Sequence, residues 1–226
     1  MKKYPKIYHH NKGNFGSYCY AFNKLDGSNI RVEWDQKLSK KSTSTLGFRK
    51  FGTRNQIISN INHPFSESID LFMDKYSENM DKIFREDTYF RGIRKITIYL
   101  EYFGKNSFAG QHEDNDTKNL ILLDVERFQK GFVEPKNFID KFEHLDIPDI
   151  IYQGEYNEEF INKVRDGSYN VTEGVVCKGT ENKKVWMTKI KTLEWLYKVK
   201  DKHGIEYVRE DFNNDEELMG KFKETI

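Results

Sequence analysis

Four short pieces of the sequence carry residues that could do chemistry: "KLDGSNIR" at 24–31, "YLEYFG" at 99–104, "TEGVVCKG" at 172–179 and "WMTKIKT" at 186–192. Lys24 stands at the lip of an Asp-Gly pair between two alternating runs, the ordinary signal of a tight hairpin turn. It is either a solvated lysine on a loop or a nucleophile held at the edge of a sheet. A lysine attacks only as the free amine. Its ordinary pKa of about 10.4 leaves almost none free at pH 7, and neighbouring cations or desolvation lower that value. Lys189 and Lys191 are two residues apart, so on a strand they share a face about 7 Å from each other. Glu101 lies in "ITIYLEYF" and by alternation shares a face with Thr97, Tyr99 and Phe103. A carboxylate on so apolar a strand needs a partner. Taken singly, each piece also has an ordinary reading, as a turn, a solvated strand face, a Glu-Gly bend or a lysine pair in a lysine-rich chain. Their joint occurrence, each at or beside a strand, is what points to a site.

The elements that must position these residues follow from periodicity. "SYCYAFNK" and "NIRVEW" alternate as strands around the Asp-Gly pair. "KLSKKSTSTLG" reads as a polar, basic loop. "FSESIDLFMDKYSENMDKIFR" spaces its apolar residues as one amphipathic helix. "KITIYLEYFG" and "NLILLDVERF" are strands separated by the acidic loop "GQHEDNDTKN". "PKNFIDKFEHL" and "NEEFINKVRDG" are short helices, the second closed by Gly167. "NVTEGVVCKG" and "KKVWMTKIKT" are strands, and "LEWLYKVKDKHG" is a basic helix. A short strand "IEYVRE" and a capped terminal helix "NNDEELMGKFKETI" complete the pattern. Antiparallel strands mixed with helices predict an α+β fold.

Composition narrows the class. The chain has 226 residues, 37% of them hydrophobic, 15% aromatic and 32% charged, with a net charge of +1. It can bury a real core and is no polycation, so any nucleic-acid binding must come from a local basic patch. No apolar run approaches membrane-spanning length, and the N-terminus lacks the apolar stretch of a signal peptide, which predicts a soluble, intracellular, cytoplasmic protein with no membrane partner. Two cysteines, Cys19 and Cys177, are too few for a disulfide framework or zinc site and read as reduced core thiols.

The four pieces together resemble the covalent nucleotidyltransferase superfamily of ATP-dependent RNA and DNA ligases and mRNA capping enzymes. "KLDGSN" is similar to its nucleophile motif, "LEYFG" to the third motif, "EGVVCK" to the fourth and "KIK" to the fifth, with "LLDV" at 122–125 as the strand between the third and fourth. The texture resembles most the phage-type RNA ligases of the branch that seals nicks in duplex RNA, and a phage or virus genome is one source that likeness allows. The resemblance implies a ligase-type nucleotidyltransferase domain with antiparallel sheets flanked by helices around an ATP cleft. It implies an ATP-dependent RNA ligase: Lys24 takes AMP from ATP as a lysyl–AMP phosphoramidate, the AMP passes to a 5′-phosphate, and a 3′-OH displaces it. ATP, Mg2+ (or Mn2+) and RNA with 5′-phosphate and 3′-OH ends are the implied cofactors and partners. Glu173 is implied in the metal and water shell, Lys178 on the phosphate side with Lys189 and Lys191, and Glu101 on the ribose hydroxyls. Asn29 and Arg31 share a strand face past the nucleophile, with Arg31 set against ribose or RNA. Arg54 resembles the arginine of the next motif, with Arg49 as competitor. Backbone groups near Leu25 are set against the base.

The chain also departs from the family. The aromatic residue expected before the Asp of "LLDV" is Leu123, so either Leu123 or Phe103 must wall the purine. Glu173 and Lys178 are five apart and alternate to opposite faces unless Gly174 admits a bulge or sharp twist. The 35 residues after Lys191 are too few for an OB barrel. The expectation is therefore a nucleotidyltransferase domain over 1–191 with a small helical extension over 192–226, or a fragment of a longer chain. Such a ligase would hold RNA with its own basic residues, Lys37, Lys40, Lys41, Arg49 and Lys50, and with Lys198, Lys200 and Lys202. The alternatives are a minimal DNA ligase and a non-catalytic nucleotide- or RNA-binding module.

Overall fold

The computed structural model describes residues 1–41, 46–59, 63–104 and 116–212. Its strands are, in chain order, β1 (Tyr8–His9), β2 (Tyr18–Asn23), β3 (Ser28–Asp35), β4 (Phe48–Thr53), β5 (Lys95–Phe103), β6 (Asn119–Arg127), β7 (Gly131–Phe132), β8 (Ile150–Glu155), β9 (Gly174–Glu181) and β10 (Lys184–Lys191). The α-helices are α1 (Gln36–Ser39), α2 (Glu67–Lys75), α3 (Ser77–Glu86), α4 (Pro135–Phe142), α5 (Glu158–Arg165) and α6 (Leu193–His203). The strands form two five-stranded sheets, ordered β1-β10-β9-β2-β8 and β4-β3-β5-β6-β7, and among the described residues neither closes into a barrel. All their pairings are antiparallel except β1 with β10. The α+β expectation therefore holds. No helix among the described residues is long and apolar enough to cross a membrane.

The chain divides into two compact units. The first comprises Met1–Pro5 and Leu25–Pro148 and contains the β3–β7 sheet. Alternation along β3 and β5 sends Ile30, Val32, Trp34, Ile96, Ile98 and Leu100 to one fully buried face. Phe72, Phe84, Phe90 and Phe142 are buried as well; Phe48 meets Phe72, and Trp34 meets Phe84, edge to face. Each such side chain contributes about 1.5–3 kcal/mol of burial. The second unit comprises Lys6–Lys24 and 149–226. There Cys19, Ala21, Val175, Cys177 and Ile190 from β2, β9 and β10 cluster with Phe160, Ile161 and Val164 of α5. Both cysteines are free and buried, as expected.

Three local expectations are corrected. The Asp-Gly pair is not a hairpin turn: β2 pairs with β8 and β9, β3 with β4 and β5, so 24–27 carries the chain from one sheet to the other. The amphipathic run at 65–85 is two helices, because the backbone of Tyr76 leaves the helical region (φ −122°, ψ −27°). The Tyr76 ring is buried, and its single hydroxyl proton lies between two acceptors, the carbonyls of Leu120 (2.9 Å) and Asp146 (3.0 Å). "IEYVRE" forms 3-10 turns over Ile205–Tyr207 and Arg209–Phe212 rather than a strand. The predicted terminal helix at 213–226 and most of the acidic loop lie outside the described residues.

Candidate active site

Lys24 is placed by the last backbone bonds of its sheet. Its N–H donates to the carbonyl of Gly174 at 2.9 Å, and that of Asn23 donates to Asp149 at 2.8 Å. The residue before Gly174 is Glu173, whose Oε1 lies 2.7 Å from Lys24 Nζ. Glu173 is buried and Lys24 half-buried. Gly174 makes this arrangement possible. Its φ is +143°, a region L side chains avoid, and a Cβ there would sit 2.0 Å from the carbonyl oxygen of Ile190. Because β9 begins at this turned glycine, Glu173 precedes the strand and escapes its alternation. The twist that the Glu173–Lys178 spacing required is present.

Along the sheet, Val176 faces Phe22 and Lys189, and Lys178 faces Tyr20 and Met187. Lys178, Lys189 and Lys191 therefore share one face, opposite the cysteine core. Lys178 is buried with its ammonium 4.8 Å from the centre of the Phe22 ring. Lys189 is pushed down to about 8, first by burial and then by the charge of Lys191, with Lys24 adding to the effect. Asp211 and Glu173 pull the other way. So Lys24, Glu173, Lys189 and Lys191 occupy one electrostatic neighbourhood in the second unit.

Two members of that neighbourhood gave no signal in the sequence. Asp211 is buried, with Oδ1 2.7 Å from His9 Nδ1 and Oδ2 3.3 Å from Lys191 Nζ. Burial opposes its ionisation, but the hydrogen bond from His9 and the charge of Lys191 hold its carboxyl below the usual range. His9 reaches the site because β1 adds in parallel to β10, opposite Lys189. Arg165 donates to the carbonyl of Asp211 at 3.2 Å. His10 is pushed down to about 4 by burial and by the charge of Arg165.

The remaining predicted residues belong to the first unit. Asn29, Glu101 and Ile121 lie abreast on β3, β5 and β6. Asn29 Nδ2 donates to the Leu100 carbonyl at 3.2 Å, while its Oδ1 is buried and accepts no hydrogen bond from the described residues. The ladder between β5 and β6 slips between Tyr99 and Leu100, which pair with Asp124 and Leu122. Leu123 is the extra, half-buried residue of that bulge. Phe103 ends β5, and a Cβ on Gly27 would lie 2.6 Å from the Tyr102 carbonyl and 3.0 Å from Phe103 Cβ. Leu25 is half-buried on the same connection. Arg31, expected to face ribose or RNA, is buried, donating from Nε to the Thr53 carbonyl (2.8 Å) and from Nη1 to that of Met1 (3.0 Å). Arg54 and Arg49 are both exposed, Arg54 just past β4 and Arg49 as the extra residue of a bulge in it. Lys37, Lys40, Lys41 and Lys50 are exposed too, Lys50 pairing with Glu33 at 3.2 Å; Lys198 is exposed and pairs with Glu194.

No group of three or more His, Cys, Asp or Glu side chains among the described residues could hold a metal by itself. Magnesium commonly binds through one or two carboxylates together with substrate phosphates. Glu173 beside the lysine face fits that mode and no all-protein site.

No protein-family model and no curated protein sequence matches this chain. Solved structures do. The Naegleria gruberi RNA ligase with PPi superposes with a TM-score of 0.62 at 19% identity, covering 89% of this chain and 58% of that one. A variant of the same ligase with ATP and Mn gives 0.60 at 18% identity, covering 89% and 59%. Another with AMP and Mn gives 0.60 at 19%, with the same coverage. The chain thus spans less than two thirds of the structures it matches. The described chain has the α+β nucleotidyltransferase fold of that RNA ligase.

Proposed function

We propose that this protein is an ATP-dependent RNA ligase that works through a covalent lysyl–AMP at Lys24. The observation that carries the reading is the contact of Lys24 with Glu173 in one neighbourhood with Lys189 and Lys191, within an RNA-ligase fold. Complexes of the fold relative with ATP, AMP and pyrophosphate support it. In the first step Lys24 Nζ attacks the α-phosphorus. A P–N bond forms, the bond to the bridging oxygen breaks, and pyrophosphate leaves with the electron pair while the amine gives up its proton. Lys189 and Lys191 hold the negative phosphates, and Lys178 supports them from the same face. A divalent cation arriving with the nucleotide would offset polyphosphate charge and give Glu173 another partner than Lys24. In the second step a 5′-phosphate oxygen of RNA displaces Lys24, and in the third a 3′-OH displaces AMP. Residues 1–191 form the nucleotidyltransferase domain in this reading, and 192–226 an extension that supplies Asp211.

Incubation with α-labelled ATP and Mg2+, with α-labelled GTP in parallel, tests the reading. An acid-labile, base-stable label from ATP only, followed by sealing of nicked RNA in preference to nicked DNA, is the expected result. No protein label from either nucleotide would overturn it, and preference for DNA would move it to a minimal DNA ligase.

A further inference from the structure

A second feature belongs wholly to the first unit. The first unit holds a cavity of about 710 Å³ walled by the outer ends of β3, β5 and β6 and lined by Glu33, Lys37, Arg94, Lys95, Glu126 and Phe128, among others. Its carboxylates are already matched. Glu33 pairs with Lys50 at 3.2 Å and Lys95 at 3.4 Å; Glu126 pairs with Lys2 and accepts from the Tyr99 hydroxyl at 2.7 Å. Asp35 caps α1 by accepting from the Lys37 N–H at 2.9 Å and lies 3.9 Å from Lys95. Among the described residues the side chains of Arg94 and Lys37 make no ion pair, and both are exposed. So the wall has two uncommitted cations.

Beside them stands Phe128, 57% exposed. It is held out by a tight turn. Its N–H donates to the Lys95 carbonyl at 3.0 Å, Lys130 N–H donates to Arg127 at 3.0 Å, and Gln129 between them takes φ +60°. A left-handed glutamine costs about 1 kcal/mol or more. The turn thus spends conformational energy to hold the ring in solvent, and the unfavourable exposure of that ring is removed if a flat apolar ligand covers it. A ring beside uncommitted cations is the pattern by which proteins hold single-stranded nucleic acid: bases stack on the aromatic face and phosphates meet the cations. The cavity has room for one nucleotide.

We infer that this cavity is a docking site for one unpaired nucleotide of an RNA strand, with its base on Phe128 and the flanking phosphates on Arg94 and Lys37. The inference rests on the RNA-ligase reading for the identity of the strand, while its geometry is independent of Lys24.

The test is binding, read separately from catalysis. Fluorescence anisotropy of a labelled single-stranded RNA octamer is compared for the wild type, Phe128→Ala and Arg94→Ala at 50 and 200 mM salt. Phe128→Ala should weaken binding about 5- to 100-fold. Arg94→Ala should weaken it several-fold and flatten the salt dependence by about one charge. Labelling from ATP should be unchanged in both, since neither side chain lies in the lysine face. Unchanged RNA affinity in either variant overturns the site. A poly-glutamate peptide that loses as much affinity as RNA in Phe128→Ala would also overturn it, because a peptide carboxylate has no base to stack. If the wild type takes no label from ATP, the ligase reading fails, and the RNA comparison still decides this one.

Discussion

Lys24 Nζ lies 2.7 Å from Glu173 Oε1, and the same strand junction holds both through the Lys24 N–H and the Gly174 carbonyl. Lys24→Ala should abolish labelling from ATP and sealing from a 5′-phosphate, while sealing of a pre-adenylylated end survives. It should also cost about 1–3 kcal/mol of stability, because a buried carboxylate loses its cation. Adding Glu173→Gln should recover most of that loss in urea unfolding. Persistent labelling of the alanine variant would rule out Lys24 as nucleophile.

Lys189 gives the pH dependence. Its ammonium is pushed down to about 8, so in the folded chain it discharges well before an ordinary lysine. If it holds phosphate as a cation, adenylylation falls as pH rises through 8. Lys189→Arg should carry the falling limb to higher pH, because a guanidinium stays charged. An identical limb in the arginine variant assigns the titration to another group.

The same shift has a stability consequence. Between about pH 8 and 10.4 the unfolded chain keeps a proton that the native chain has released, so this group's contribution rises with pH across that window. Below pH 8 the cost of the buried cation is fully present. Lys189→Met should therefore raise stability at pH 7 by on the order of 1–3 kcal/mol while abolishing adenylylation. A urea midpoint that is unchanged or lower would contradict the burial argument.

Asp211 favours the charged form of Lys189. Asp211→Asn removes that charge but keeps the shape, so the falling limb should move to lower pH with the fold retained. A limb that stays in place would mean Asp211 acts only as a scaffold for His9 and Lys191.

The purine wall separates two residues. If Phe103 stacks on the base, Phe103→Ala should weaken ATP binding by about 1–3 kcal/mol and Leu123→Ala should do little. If the bulged Leu123 is the wall, the order reverses. Calorimetric titration of folded variants decides, and no effect from either places the base elsewhere.

Much of this arrangement was legible because it depends on local pattern. Alternation in "KITIYLEYF" and "KKVWMTKIKT" gives the faces of Glu101, Lys189 and Lys191, and the spacing conflict at Glu173 pointed to the turned Gly174. What was hidden depends on pairing between distant segments. Nothing in "NIRVEW" says that Arg31 meets the carbonyls of Thr53 and Met1. The parallel pairing that brings His9 to Lys189, and the turns that carry Asp211 to Lys191, have no signature in composition or period. The Asp-Gly pair misled for a physical reason: two strands beside a tight turn look alike whether they pair with each other or join different sheets.

That connection also sets an order of assembly. β2, made early, pairs with β8 and β9. The residues between, 25–148, form the other unit. During synthesis the first unit can complete its sheet while β2 still waits with unpaired edges. Such distant pairing is slow and leaves a strand open to wrong partners. Lys24, the nucleophile of the proposed reaction, is thus tethered early and framed last, so a chain stopped before β9 would display Lys24 without Glu173.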